Sequence, residues 1–173
     1  MDVPSSPQPR HPLPVVHPCP PGMVAHAYER SDTIPHPATA VWDWLNDPRT
    51  FTDNQLWPFR VEFIDGGLEP GVLNTHHGPL MSFTGVIGEV RPPTDDAAGY
   101  RDLQYLYGSY ALSLRVIRPT RLQFWVEPDG ESTTLRTRLD CWIKPSWAGR
   151  WTWLQTRFWN RFPKWARKQV GKR

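Results

Sequence analysis

KPSWAGRWTWLQTRFWNRFPKWARKQVGKR, residues 144 to 173, holds nine Lys or Arg, no Asp or Glu, and five of the ten tryptophans. Trp147, Trp151, Leu154, Phe158 and Trp165 fall close to one helical stripe, and Arg150, Arg157, Arg161, Lys164 and Lys168 fill much of the remainder. This spacing predicts a main helix from about Ser146 to Phe162. Pro163 lacks a backbone donor and clashes with the preceding turn, so the helix is expected to kink or break there and to go on only as a looser turn. All seventeen acidic residues lie at or before Asp140, so this basic, aromatic helix follows a net acidic body. Such a helix can close a cavity, touch a polyanion, or do both.

Upstream of it the chain alternates. Leu122, Phe124 and Val126 face one way, with Arg121, Gln123 and Glu127 opposite; Leu135, Thr137, Leu139, Cys141 and Ile143 face one way, with Arg136, Arg138 and Asp140 opposite. Pro128-Asp129-Gly130-Glu131 is a hairpin signal between these runs. Further strands are expected at Arg60–Ile64, Gly71–Gly78, Met81–Val90, Asp102–Tyr107 and Tyr110–Ile117, the last closed by Pro119-Thr120. Nearer the start, Val24–Ile34 reads as a strand stopped by Pro35. Ala38, Val41, Trp42 and Leu45 then form one apolar helical stripe, and Pro48 to about Gln55 is a second short helix with Phe51 as its buried residue.

The order is therefore strand, two short helices, a series of antiparallel strands and a long amphipathic helix. It predicts an α+β fold in which a curved sheet is covered on one face, because only the terminal helix is long enough to cover it. Eight of the first 22 residues are proline, so residues 1–22 are expected to be an extended or disordered arm. Residues 23–165 form the expected domain and 166–173 a basic tail. About 150 residues outside the arm suffice for a real core. Cys19 and Cys141 make no disulfide framework. The N-terminus lacks the basic start and apolar stretch of a secretory signal, which makes a cytoplasmic setting the expectation.

The stretch Tyr28–Pro48 runs from the first strand into P-x-x-x-V-W-x-W-L-x-D-P (Pro37 to Pro48), and G-E-S-T-T-L (Gly130–Leu135) precedes the last strand. These segments, with the element order, resemble the SRPBCC superfamily of START, Bet v 1-like and polyketide cyclase-type proteins over about residues 23 to 165. The resemblance implies a helix-grip fold: a seven-stranded antiparallel sheet wrapped round the C-terminal helix, with an apolar cavity between. It implies a lipid, sterol or polyketide-like ligand, and in some members a cyclisation or dehydration.

No phosphate loop, G-x-S-x-G elbow or paired C-x-x-C motif is present, so no cofactor is expected. His11, His17, Cys19 and His26 are too irregularly spaced to suggest a metal. His76 and His77 are the one tight histidine pair. Adjacent strand residues point to opposite faces, so at most one ring serves a single site, where it could act as a base with an acid such as Glu62 or Glu89. Tyr105 and Tyr107 share a strand face and offer phenol hydroxyls to a ligand. With Phe83, Phe124, Trp151, Leu154 and Phe158 they are the expected ligand-binding wall. Arg150, Trp153, Arg157, Trp159 and Arg161 form the outer face of the helix. They suit an anionic membrane surface or pairing with the acidic body; single-stranded nucleic acid is the weakest fit. Three readings follow. The protein holds an apolar or amphipathic molecule, is a cyclase-type enzyme using a cavity His or Tyr, or binds membranes through its basic helix. The oligomeric state is not legible.

Overall fold

A computed structural model describes residues 18–64, 66–79, 81–105, 110–111 and 115–170, without the side chains of Met81, Phe83, Tyr110 and Ala111. Most of the expected proline-rich arm lies outside these residues. The first strand, β1 (Val24–Ile34), stops at Pro35, and α1 (Ala38–Leu45) follows. Its apolar stripe is buried: Ala38, Val41, Trp42, Trp44 and Leu45 all enter the core. The second helix, α2 (Arg49–Thr52), is shorter than its composition suggests. Its buried residue is Thr50, not Phe51, because the Thr50 hydroxyl donates to the Trp44 carbonyl at 2.5 Å and so ties α2 to α1.

The strands β2 (Arg60–Phe63), β3 (Leu73–Gly78), β4 (Met81–Arg91), β5 (Gly99–Tyr105), β6 (Tyr110–Ala111), β7 (Ile117–Asp129) and β8 (Ser132–Ile143) complete one antiparallel sheet with β1. Its order is β1-β8-β7-β5-β4-β3-β2, and the two-residue β6 pairs with β4. The β7–β8 hairpin turns at Gly130, whose φ of 61° lies in the left-handed region that favours glycine. Pro119-Thr120 does not divide two strands. β7 runs through it, and the ladder to β8 slips between Pro119 and Arg121, so the proline sits at an irregularity where no donor is required.

The two faces of the sheet differ as the alternation demands. On the convex side, polar groups link the strands: Tyr100 Oη donates to Gln123 Oε1 (3.2 Å), Gln123 Nε2 to Asp140 Oδ2 (2.8 Å), and Arg138 Nε to Asp140 Oδ1 (2.9 Å). Asp102 is the most enclosed of these acids. Its side chain accepts from Arg121 Nε (2.6 Å), the Glu89 backbone N–H (2.6 Å) and Gln104 Nε2 (3.2 Å). Asp102 thereby fills a register shift between β4 and β5, next to Gly88, where an added Cβ would meet its carboxylate at 2.3 Å. Asp102→Ala is expected to cost about 2 kcal/mol in urea denaturation, because it leaves the Glu89 N–H and Arg121 short of their acceptor. A variant as stable as the parent would show that water replaces the carboxylate.

Pro145–Trp147 forms a 3₁₀ turn, and the C-terminal segment then splits into α3 (Ala148–Trp159) and α4 (Phe162–Gln169). The break falls at Asn160-Arg161, earlier than the proline suggested. Pro163 lies in the first turn of α4, where no backbone donor is missed, so the expected looser turn is a regular helix. Phe162, Pro163 and Ala166 of α4 are buried, and Val170 after it is too. The core thus includes Ala166 and Val170, within the stretch 166–173 expected as a basic tail. On the concave side, Phe162 lies within 5.0–6.1 Å (ring centroids) of Trp44, Phe51, Phe124, Trp159 and Trp165. One side chain thus joins α1, α2, β7 and both terminal helices.

Candidate functional site

α4 is held firmly against α1 and β1, whereas α3 buries only Trp159. A hollow of about 370 Å³ remains between α3 and the sheet. Its floor is the concave face of the sheet: Ile87, Leu103, Tyr105, Leu122, Phe124 and Leu139. Phe51, Leu56 and Phe59 close one side, and Trp151, Leu154, Phe158, Trp159, Phe162 and Trp165 supply the helical side. Most of this lining is apolar, as suits a small-molecule site in which a few polar groups set orientation.

Besides Asn54, Gln55, Arg60 and Gln155, those polar groups are Asn74, His76, His77, Arg101 and Tyr105. The His76 ring packs edge-on to Tyr105, with centroids 5.5 Å apart. Burial, aided by the neighbouring His77, pushes the His76 pKa down to about 4, so the ring is neutral at pH 7. Burial drives the Tyr105 phenol upward, so it too stays protonated. His77 reaches the rim, where Nε2 lies 3.4 Å from Glu62 Oε2; Glu62 also pairs with Arg60 at 3.1 Å. Glu89 is taken by Arg91 at 3.3 Å on the outer surface. The acids proposed for a His–acid pair therefore meet the rim histidine and a surface arginine, not His76. Among the described residues no cluster of three or more His, Cys, Asp or Glu could hold a metal ion.

Of the expected wall, Tyr105, Phe124, Trp151, Leu154 and Phe158 line the hollow. Tyr107 and the Phe83 side chain lie outside the described residues. Leu154 and Phe158 are 45% and 37% exposed, so they stand at the mouth and not deep inside. Trp159, read from the sequence as an outer-face residue, is 5% exposed and packs against Phe124 and Phe162. At 3.6 residues per turn it lies only about 80° from Trp151, close enough to join the inward arc once the helix breaks behind it. Its indole N–H is satisfied by Gln155 Oε1 at 2.9 Å. Arg161 is half-buried at the start of α4, so it too leaves the exposed set. Arg150, Trp153 and Arg157 do face outward. Arg150 lies over the Trp147 ring at 5.4 Å and Arg157 over Trp153 at 5.9 Å. Among the described residues neither arginine forms a salt bridge with a carboxylate.

Sequence reasoning missed Arg101, which starts the inward series Arg101, Leu103, Tyr105 at period two. The strand is expected from Asp102, one residue too late to place Arg101 on a face.

No family sequence model and no curated protein sequence matches the chain. Solved structures do. Truncated norcoclaurine synthase from Thalictrum flavum is 17% identical, with a TM-score of 0.61 over 87% of this chain and 96% of that one. The same enzyme in complex with dopamine and hydroxybenzaldehyde is 15% identical (TM-score 0.60, 86% and 88% covered). A START superfamily protein from Mycobacterium smegmatis is 14% identical (TM-score 0.54, 85% and 98% covered). The chain has the Bet v 1-like, START-type fold. Its helix-grip architecture accounts for the hollow: the sheet curves round α4, and α3 bridges the open end. No helix among the described residues is long and apolar enough to cross a membrane.

Proposed function

We propose that the protein holds an apolar or amphipathic small molecule in the hollow between its sheet and α3. The observation that carries this reading is the open space of about 370 Å³ in a chain with ten tryptophans, enough aromatic volume to have filled it. A well-packed interior has few voids larger than a water molecule, so a lined space of this size favours an occupant. The complex of the similarly folded norcoclaurine synthase with two small aromatic molecules supports the same use of the fold. Binding is favoured over a cyclase-type reaction because, among the described residues, the one His–acid contact, His77 with Glu62, lies at the exposed rim, and Glu89 meets Arg91 on the outer surface. Native mass spectrometry of the purified protein should reveal a co-purifying organic molecule, and a solvatochromic probe should brighten on binding. Leu139→Trp, on the floor of the hollow, is expected to weaken the probe by about tenfold or more while the circular dichroism spectrum is kept. Unchanged probe affinity in that variant would count against the hollow as the site.

A second reading is favoured by the mouth itself. Phe59, Leu154 and Phe158 line it in exposed positions, Trp153 next to Leu154 is 60% exposed, and Trp57 near Phe59 is 93% exposed. With Arg60, Arg150 and Arg157 this rim suits the interface of an anionic bilayer, where the occupant could be exchanged. Sedimentation with phosphatidylglycerol vesicles tests it. Binding should fall in the double variant Arg150→Gln/Arg157→Gln and at high salt; no binding at low salt would remove the reading.

A further inference from the structure

We infer that the occupant of the hollow carries an anionic group, a carboxylate or similar acid, and that Arg101 is its counter-ion. This rests on the reading that the hollow holds a small molecule. Arg101 is 4% exposed, and its guanidinium lies between the Phe51 and Phe124 rings at 5.3 and 5.2 Å from their centroids. It lines the hollow, and its Nη1 is buried without a hydrogen-bond partner. Among the described residues no carboxylate pairs with it. On the opposite, convex face, by contrast, Arg121 has Asp102, and Arg136 and Arg138 have Glu29.

A buried, unpaired charge opposes folding, and an aliphatic residue of similar length would fill the same place at less cost. The two flanking rings offset part of that cost through their π faces, and they hold the guanidinium plane in place. They supply no acceptor for its N–H groups. Burial lowers the Arg101 pKa to about 9, which still leaves it cationic at neutral pH. A guanidinium is suited to grip a planar carboxylate with two parallel N–H bonds. The arrangement is thus a largely apolar container with a buried, fixed cation for which the described residues supply no carboxylate.

The test uses acids and their isosteric neutral amides: decanoate against decanamide, and naphthaleneacetate against naphthaleneacetamide, by isothermal titration of the full chain at pH 7.5. In at least one pair the acid is expected to bind tenfold or more tightly than the amide. Arg101→Gln should erase that preference while changing amide affinity less than twofold. The same variant is expected to melt at an equal or higher temperature, whereas a merely structural arginine would lower it. Should Arg101→Gln fail to fold, Arg101→Met replaces it, and the wild-type ratio needs no variant. Equal binding of acid and amide in both pairs would overturn the counter-ion and leave the container standing. Failure of all four compounds to bind would count against the container and the counter-ion together.

Discussion

Phe162→Ala is expected to lower the unfolding free energy by about 3–5 kcal/mol, the range for deleting a fully buried aromatic ring. The size of the effect follows from position. Phe162 is buried and touches rings from α1, α2, β7, α3 and α4, so its loss opens a cavity whose walls belong to five elements. Few of those walls can relax inward, since each is held by its own hydrogen bonds. Phe158→Ala, four residues earlier at the half-exposed mouth, should change stability by only about 0.5 kcal/mol. Guanidinium denaturation followed by tryptophan fluorescence and far-ultraviolet circular dichroism measures both. Equal losses in the two variants would mean that α3 and α4 pack with similar strength, contrary to the burial that separates them.

Acidification gives the second large effect. The His76 pKa falls from 6.5 to about 4 in the folded chain, first through burial and then through His77. The unfolded chain therefore binds a proton at a pH where the folded chain does not. Stability from this site is complete above about pH 6.5 and falls as pH drops toward 4, by about 3 kcal/mol in all. Below pH 4 this contribution levels off, because both states are then protonated. His76→Gln should flatten this part of the profile. Urea denaturation at pH 7.5, 5.5 and 4.5 on both proteins isolates the effect, because their carboxylates are shared. Parallel profiles would show that His76 charges freely in the folded state.

The elements that the chain announces most clearly are those governed by local chemistry. Pro35 ends β1 where expected, the stripe of α1 is buried as its period demands, and Asp129-Gly130-Glu131 turns the β7–β8 hairpin. The helix-grip arrangement follows from the order of these pieces. What stayed illegible depends on partners distant in sequence. Pro119 is tolerated inside β7 because β8 slips opposite it, and only the paired strand reveals that. The break at Asn160-Arg161 lets Trp159 and Phe162 both reach Phe124, a gain invisible to a period computed along one continuous helix. At the site, strand alternation singled out Phe124 and the helical stripe Trp151 and Leu154, and all three line the hollow. Arg101 was not, since a charged residue at the first turns of a strand reads as a solvated end until the concave sheet encloses it.

The sheet is open, and its two rims are protected unequally. β2 is four residues long and carries Arg60 and Glu62, a short charged border that deters a newcomer. β1 is eleven residues long and, among the described residues, has a neighbouring strand on one side only. Along it, Arg167 of α4 donates to the Thr33 carbonyl at 3.2 Å, Arg30 reaches Asn160 at 2.8 Å, and His26 shares a hydrogen bond with Thr152 at 3.1 Å. The same helices that enclose the hollow thus guard this border. A chain cut before α3 would present a long bare β1 to its copies, and intermolecular strand addition, the first step toward aggregation, would follow.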